Sequence, residues 1–240
     1  MSRAVVKELL IAAPPDEVWR ALTDARELTR WFPVEARVEP GVGGSIWISW
    51  GEGASGDAPI TAWEPGRRFE WTEHRGPVKL AIDFQLEPRD HGTVVRLVQS
   101  GFGDGSEWDD EFHMVTGGWA YFMTHLQWYL ERHRGVPRDL IGRRDTVPLS
   151  RADTFSRLLT LVGDFEARSF VMSPATCQAG FTIAALNDAI LFLEVEPGKD
   201  SCRAGFWLST YGLGERLPGV RARLNAAYDS ALGLSQEKEP

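Results

Sequence analysis

"VKLAIDFQLEPRDHGTVVRLVQSGFGDGSEWDDEFHMVTGGWAYFMTHLQWYL", residues 78–130, changes its hydrophobic period once, and that change decides the fold. Val78, Leu80, Ile82, Phe84 and Leu86 alternate with Lys79, Ala81, Asp83 and Gln85. This is the two-residue period of a strand with one buried face, and it places Asp83 toward solvent. Arg89-Asp90-His91-Gly92 reads as a turn that returns the chain into "TVVRLVQS" as an antiparallel partner. After Gly105 the period lengthens. Trp108, Phe112, Val115, Trp119, Phe122, Leu126 and Tyr129 follow at intervals of four, three, four, three, four and three. They form one apolar stripe along a helix of roughly six turns, a length suited to crossing the concave face of a curved sheet.

Upstream, "RAVVKELLIA" (3–12) reads as a strand leading into "PPDEVWRALTDARELTRWF". There Pro14-Pro15 and the acids Asp16 and Glu17 suit a helix N-terminus, and Thr23-Asp24 breaks and re-caps the run into two short helices. "RWFPVEARVEPGVGGSIWISW" (30–50) then sets Ile46, Ile48 and Trp50 against Ser45, Trp47 and Ser49. "PITAWEPGRRFEWTEH" supplies two strands around Glu64-Pro65-Gly66. A strand, two short helices, a meander and one long helix with a wide aromatic stripe require a sheet wrapped around that helix. Residues 1–134 are therefore expected to form an α+β helix-grip domain.

Downstream, residues 135–148 carry Gly, Pro and charge without a sustained period and read as a linker. The order of elements then partly repeats. "TVPLSRADTFSRLLTLV" echoes the opening strand and helix, "AILFLEVEPGKDSCRAGFWLSTYG" reads as a hairpin at Pro197-Gly198, and "GERLPGVRARLNAAYDSALG" closes as a helix. Residues 149–233 are expected to be a shorter, degenerate second copy, followed by a disordered tail at 234–240. The second copy is expected either to lid the first domain or to form a homodimer contact; removal of residues 146–240 would then destabilise the remainder.

A hydrophobic content of 43% and a charged content of 25% suit a soluble globular chain, and the net charge of −8 argues against a phosphate-backbone binder. The absence of a long apolar run or signal-like leader makes a cytoplasmic location, away from membranes, the expectation. Cys177 and Cys202 have no metal or redox spacing and are expected to be buried thiols. The acids of "GSEWDDEFHM" suit a helix N-terminus, and His113 has no second histidine at i+4, so neither a metal nor a cofactor is expected.

Five stretches together carry a family resemblance: "IAAPPDEVWRALTDARELTRWF", "EPGVGGSIWI", "ITAWEPGRRFEWT", "TVVRLVQSGFG" and "GGWAYFMTHLQWYL". In this order, over residues 5–131, the chain resembles the Hsp90-ATPase-activator-homologue branch of the Bet v 1/START-like helix-grip superfamily. The resemblance implies a fold and a cavity but no particular activity. Members of the superfamily bind hydrophobic small molecules, cyclise polyketides or act on protein partners.

The aromatic residues are the natural lining of such a cavity. Trp31, Trp50, Trp71, Phe84, Phe112, Trp119 and Phe122 are the candidate wall, with His74 and His125 as candidate polar groups at its edge. Trp47, flanked by serines on the other face of its strand, is the candidate interface residue. Gly117-Gly118 in mid-helix costs roughly 1 kcal/mol per residue against alanine, which calls for close packing or a pocket mouth. The favoured expectation is a binding protein for a small hydrophobic or aromatic molecule. A cyclase- or aromatase-like enzyme and a co-chaperone-like interaction protein are the alternatives.

Overall fold

Strand β1 (Arg3–Ile11) runs into helix α1 (Pro15–Thr23), which Pro14 and Pro15 start and Asp16 and Glu17 favour through the helix dipole. Asp24 ends α1 and caps α2 (Ala25–Leu28), accepting from the backbone N–H groups of Arg26 and Glu27 at 2.9 and 3.0 Å. In the computed structural model these elements belong to the first of two compact units, residues 1–136 and 137–240. The structure describes residues 3–51, 55–75 and 78–234.

Six further strands follow in the first unit: β2 (Glu35–Val38), β3 (Ser45–Ser49), β4 (Ser55–Glu64), β5 (Arg68–Arg75), β6 (Val78–Arg89) and β7 (Gly92–Phe102). They form one antiparallel sheet in the order β1-β7-β6-β5-β4-β3-β2, so the meander closes by pairing its last strand with the first. A single extra residue, Gly101, separates the pairs Arg3–Phe102 and Ala4–Ser100. Its φ of +102° and the Lys79 carbonyl, 2.0 Å from where a Cβ would stand, restrict this bulge to glycine.

The long helix α3 (Asp109–Arg132) crosses the inner face of this sheet. Trp119 meets Phe84 of β6 and Gln99 of β7, while Gln127 and Glu131 bond the Leu10 carbonyl and the Ala12 N–H near the exposed edge of β1. Trp119, Leu126 and Tyr129 of the predicted stripe are buried, whereas Phe112, Val115 and Phe122 are half-buried. The stripe therefore seals its C-terminal half more completely than its N-terminal half.

The second unit corrects one expectation. Residues 138–147, read as part of a linker, form strand β8 (Arg138–Val147), paired along its whole length with β12 (Cys202–Tyr211). Arginine and aspartate hide its period, because Arg143 and Arg144 are held by Asp229 and Glu194 and only Ile141 and Val147 are fully buried. After β8 come α4 (Arg151–Leu158), β9 (Arg168–Ser173), β10 (Gln178–Ile183), β11 (Ala189–Pro197), β12 and α5 (Leu217–Leu232). The sheet order is β8-β12-β11-β10-β9, the order of the first sheet with two strands fewer. Its core joins Phe155, Leu191, Leu193 and Phe206 to Leu224 and Tyr228 of α5. Of the expected tail, residues 235–240 lie outside the described residues.

Candidate functional site

Phe32 stands at the junction of the helices and the sheet in the first unit. Its ring stacks on Trp31 at 5.1 Å and on Trp119 at 5.4 Å, and it meets Trp50 and Phe122 edge-on at 5.0 and 4.9 Å. From Trp119 the rings continue inward to Phe84 at 5.8 Å, Trp71 at 5.9 Å and Phe69 at 5.2 Å. They end at Trp63 and Trp19, 5.2 Å apart. Separations of this size are those of aromatic rings in direct contact. One ring series therefore threads the grip from Trp50, 39% exposed, to the buried Trp71 and Phe69.

Six of the seven predicted wall residues join this series: Trp31, Trp50, Trp71, Phe84, Trp119 and Phe122. Trp31 is also tied to the scaffold, since its indole N–H donates to the Ala21 carbonyl at 2.9 Å. Phe112 is placed elsewhere. It packs on Phe102 at 5.4 Å under the Arg3 guanidinium, at the N-terminal end of α3, because ten residues along the helix separate it from Phe122. His74 is exposed and alternates with Trp71 and Glu73 along β5, so it stands on the outer face of the sheet. His125 is fully buried on the flank of α3, with its ring 5.5 Å from Tyr121. Trp47 faces away from the buried Ile46 and is half-buried, with the Arg37 guanidinium 4.4 Å from its ring centre.

Phe32 and Gln99 were not singled out from the sequence. Phe32 follows Trp31 at the end of α2, where neither period applies. Gln99 follows Val95 and Leu97 on the inward row of β7, and that alternation was its signal. Its side-chain oxygen accepts the indole N–H of Trp119, and the residue is 5% exposed. This amide is a polar side chain in contact with the ring series.

The outer face of the sheet is of a different kind. Asp83, expected in solvent, is 8% exposed because Arg68 on β5 and Gln85 on its own strand both bond it, at 3.0 and 2.8 Å. A groove of about 320 Å³ on this face is lined by Glu8, Glu64, Glu87, Arg67, Arg68 and Arg96 among others. Its three acids and three arginines balance, and the sheet separates it from the rings. The two faces thus differ in kind, an aromatic interior and a charge-neutral polar exterior.

Comparison with known proteins places the first unit. The family model described as Activator of Hsp90 ATPase homolog 1-like protein matches residues 12–131. Among solved structures, protein MLL2253 from Mesorhizobium loti is 31% identical, with a TM-score of 0.50 over 55% of this chain and 98% of its own. The Aha1 dimer from Colwellia psychrerythraea is 25% identical, with a TM-score of 0.49 over 55% and 99%. DynU16, from the dynemicin biosynthetic locus, is 20% identical, with a TM-score of 0.49 over 98% of both chains. No curated protein matches the chain. Among the described residues, no helix is long and apolar enough to cross a membrane. With half of its length matched by that model and the grip of sheet around helix in place, the chain belongs to the Activator of Hsp90 ATPase homolog 1-like family of helix-grip proteins.

Proposed function

We propose that the first unit binds a small hydrophobic, aromatic molecule within its grip. The observation that carries this reading is the ring series, which begins at a tryptophan 39% exposed and continues without a break into the interior. A flat guest entering beside Trp50 would exchange ring–ring contacts for ring–guest contacts of the same kind, so opening the site loses little. Among the described residues, the flank of α3 at Gly118, one turn before Tyr121 and Phe122, has nothing within 4 Å of where a side chain would start. That open flank adjoins the Phe122 end of the series. The same reading takes the second unit, with its shortened version of the sheet order, as a reduced copy of the first.

Intrinsic tryptophan fluorescence, titrated with naphthalene derivatives and fatty acids alongside thermal melts, tests the proposal. Saturable quenching and a raised melting temperature are expected; ligand at a hundred times its dissociation constant should add about 2.7 kcal/mol of stability. Trp50→Ala should weaken binding by about five- to tenfold, the worth of one ring contact. Quenching that never saturates with any of these compounds, and no shift in melting temperature, would overturn the reading.

A further inference from the structure

The outer face of the first sheet departs from its own pattern on two strands. An antiparallel sheet with one face on the core normally turns polar residues to water, as β6 does with Asp83 and Gln85. On β1 and β7 the outward positions carry aliphatic residues instead. Register sets Val6 opposite Val98, Glu8 opposite Arg96 and Leu10 opposite Val94. Val6 and Leu10 are each 49% exposed, and Val94 and Val98 are half-buried. The patch is thus one ion pair between two aliphatic pairs. That ion pair is loose, with Arg96 Nε 4.0 Å from the Glu8 carboxylate, so both charges can still take a closer partner. Aliphatic pairs left in water on a sheet face mark a surface that gains by being covered.

The pattern is its own complement. A two-fold axis parallel to the strands, midway between β1 and β7, brings Glu8 against Arg96 of a second copy and Arg96 against its Glu8. The same rotation brings Val6 against Val98 and Leu10 against Val94 of that copy. Every facing pair then matches in charge or in apolar character. An axis across the strands would set Glu8 against Glu8 and Arg96 against Arg96, so charge selects the first arrangement. An isologous contact needs such a self-matching patch, and two sheets of like twist pack face to face in this nearly aligned way, about 10 Å apart. We propose that this face of β1 and β7 is the surface through which two copies of the chain associate. A contact built on two strands is small for a protein interface, so the dimer is weak, with a dissociation constant in the micromolar range or above. The inference is independent of the binding reading, because the ring series lies on the other face of the sheet.

Sedimentation velocity of the full chain tests it from about 1 to about 500 µM, at about 0.15 M salt to screen the net charge of −8. Wild type should pass from monomer to dimer over this range. Glu8→Arg alone and Arg96→Glu alone should each raise the dissociation constant about tenfold or more, since like charges then face each other across the contact. Mixed in equal amounts, the two variants should associate again. The introduced arginine of one chain then meets the introduced glutamate of the other, while the unchanged Arg96 of the first meets the unchanged Glu8 of the second. Val6→Ser, which keeps both charges, should also weaken the dimer and carries the comparison if a charge reversal does not fold. A wild-type chain that stays monomeric throughout would overturn the proposal and leave this face to a different partner. A dimer that none of the variants weakens, or a mixture no more associated than its components, would overturn it as well.

Discussion

At Gly118 the helix carries a residue that costs it stability, and close packing does not account for it. A Cβ built there meets nothing within 4 Å among the described residues, and no positive φ requires glycine at that position. Gly118→Ala should therefore raise the stability of the first unit by roughly 0.5–1 kcal/mol, measured by denaturant unfolding with an unchanged slope. A loss of stability would mean that a neighbour occupies this flank. Phe32 makes the opposite point. It touches four other rings, yet its position just beyond α2 gave no periodic signal of burial. Trp47 shows a third case: it neighbours the buried Ile46 on its strand, but the arginine over its ring belongs to the facing strand and depends on register.

Among the elements, α2 and the end of α3 are joined by a polar clasp. The Tyr129 hydroxyl donates to Glu27 and accepts from the Gly135 N–H at 3.0 Å and from Arg30 at 3.1 Å, which uses its full hydrogen-bonding capacity. Burial first, and then the bond to Glu27, raise this phenol above its ordinary pKa. Below about pH 10, the ordinary tyrosine value, folded and unfolded chains both hold the proton. Above it the unfolded chain releases the proton more readily, so stability falls as the pH rises. Tyr129→Phe should cost about 1–3 kcal/mol at neutral pH by leaving Glu27 and Gly135 short of a partner. It should also flatten the loss of stability between about pH 9 and 11, followed by denaturant midpoints across that range. A variant with the same alkaline slope as wild type would remove Tyr129 as its source.

For the whole molecule, the boundary between the units decides how it can be divided. A cut at residue 145 falls inside β8, whose pairing partner β12 lies in the second unit. Residues 1–136 end before that strand, and the M. loti protein aligns over 98% of its own length with 55% of this chain, so one unit suffices there for a folded protein. The fragment 1–136 should be soluble and melt cooperatively, whereas 1–147 ends in an unpaired strand and should self-associate. Size-exclusion chromatography and thermal melts of both check this; an unfolded 1–136 fragment would show that the first unit needs the second.

Hydrophobic period was enough to place β6, β7 and α3, the re-capped pair α1 and α2, and the α+β grip of the first unit, because the direction of a side chain along a strand or helix is a local property of the backbone. It was not enough for β8, where arginines paired to distant acids stand in the place of apolar residues. The aromatic lining was legible in kind but not in arrangement: Phe112 and Phe122 share a helix stripe and yet join different clusters. Whether Trp50 lies open, whether Phe32 bridges the rings and which way the Gln99 amide turns depend on contacts between residues tens of positions apart. Those contacts exist only once the sheet has closed on its helix, so the sequence by itself determined the elements and the character of the interior, and the tertiary structure decided its geometry.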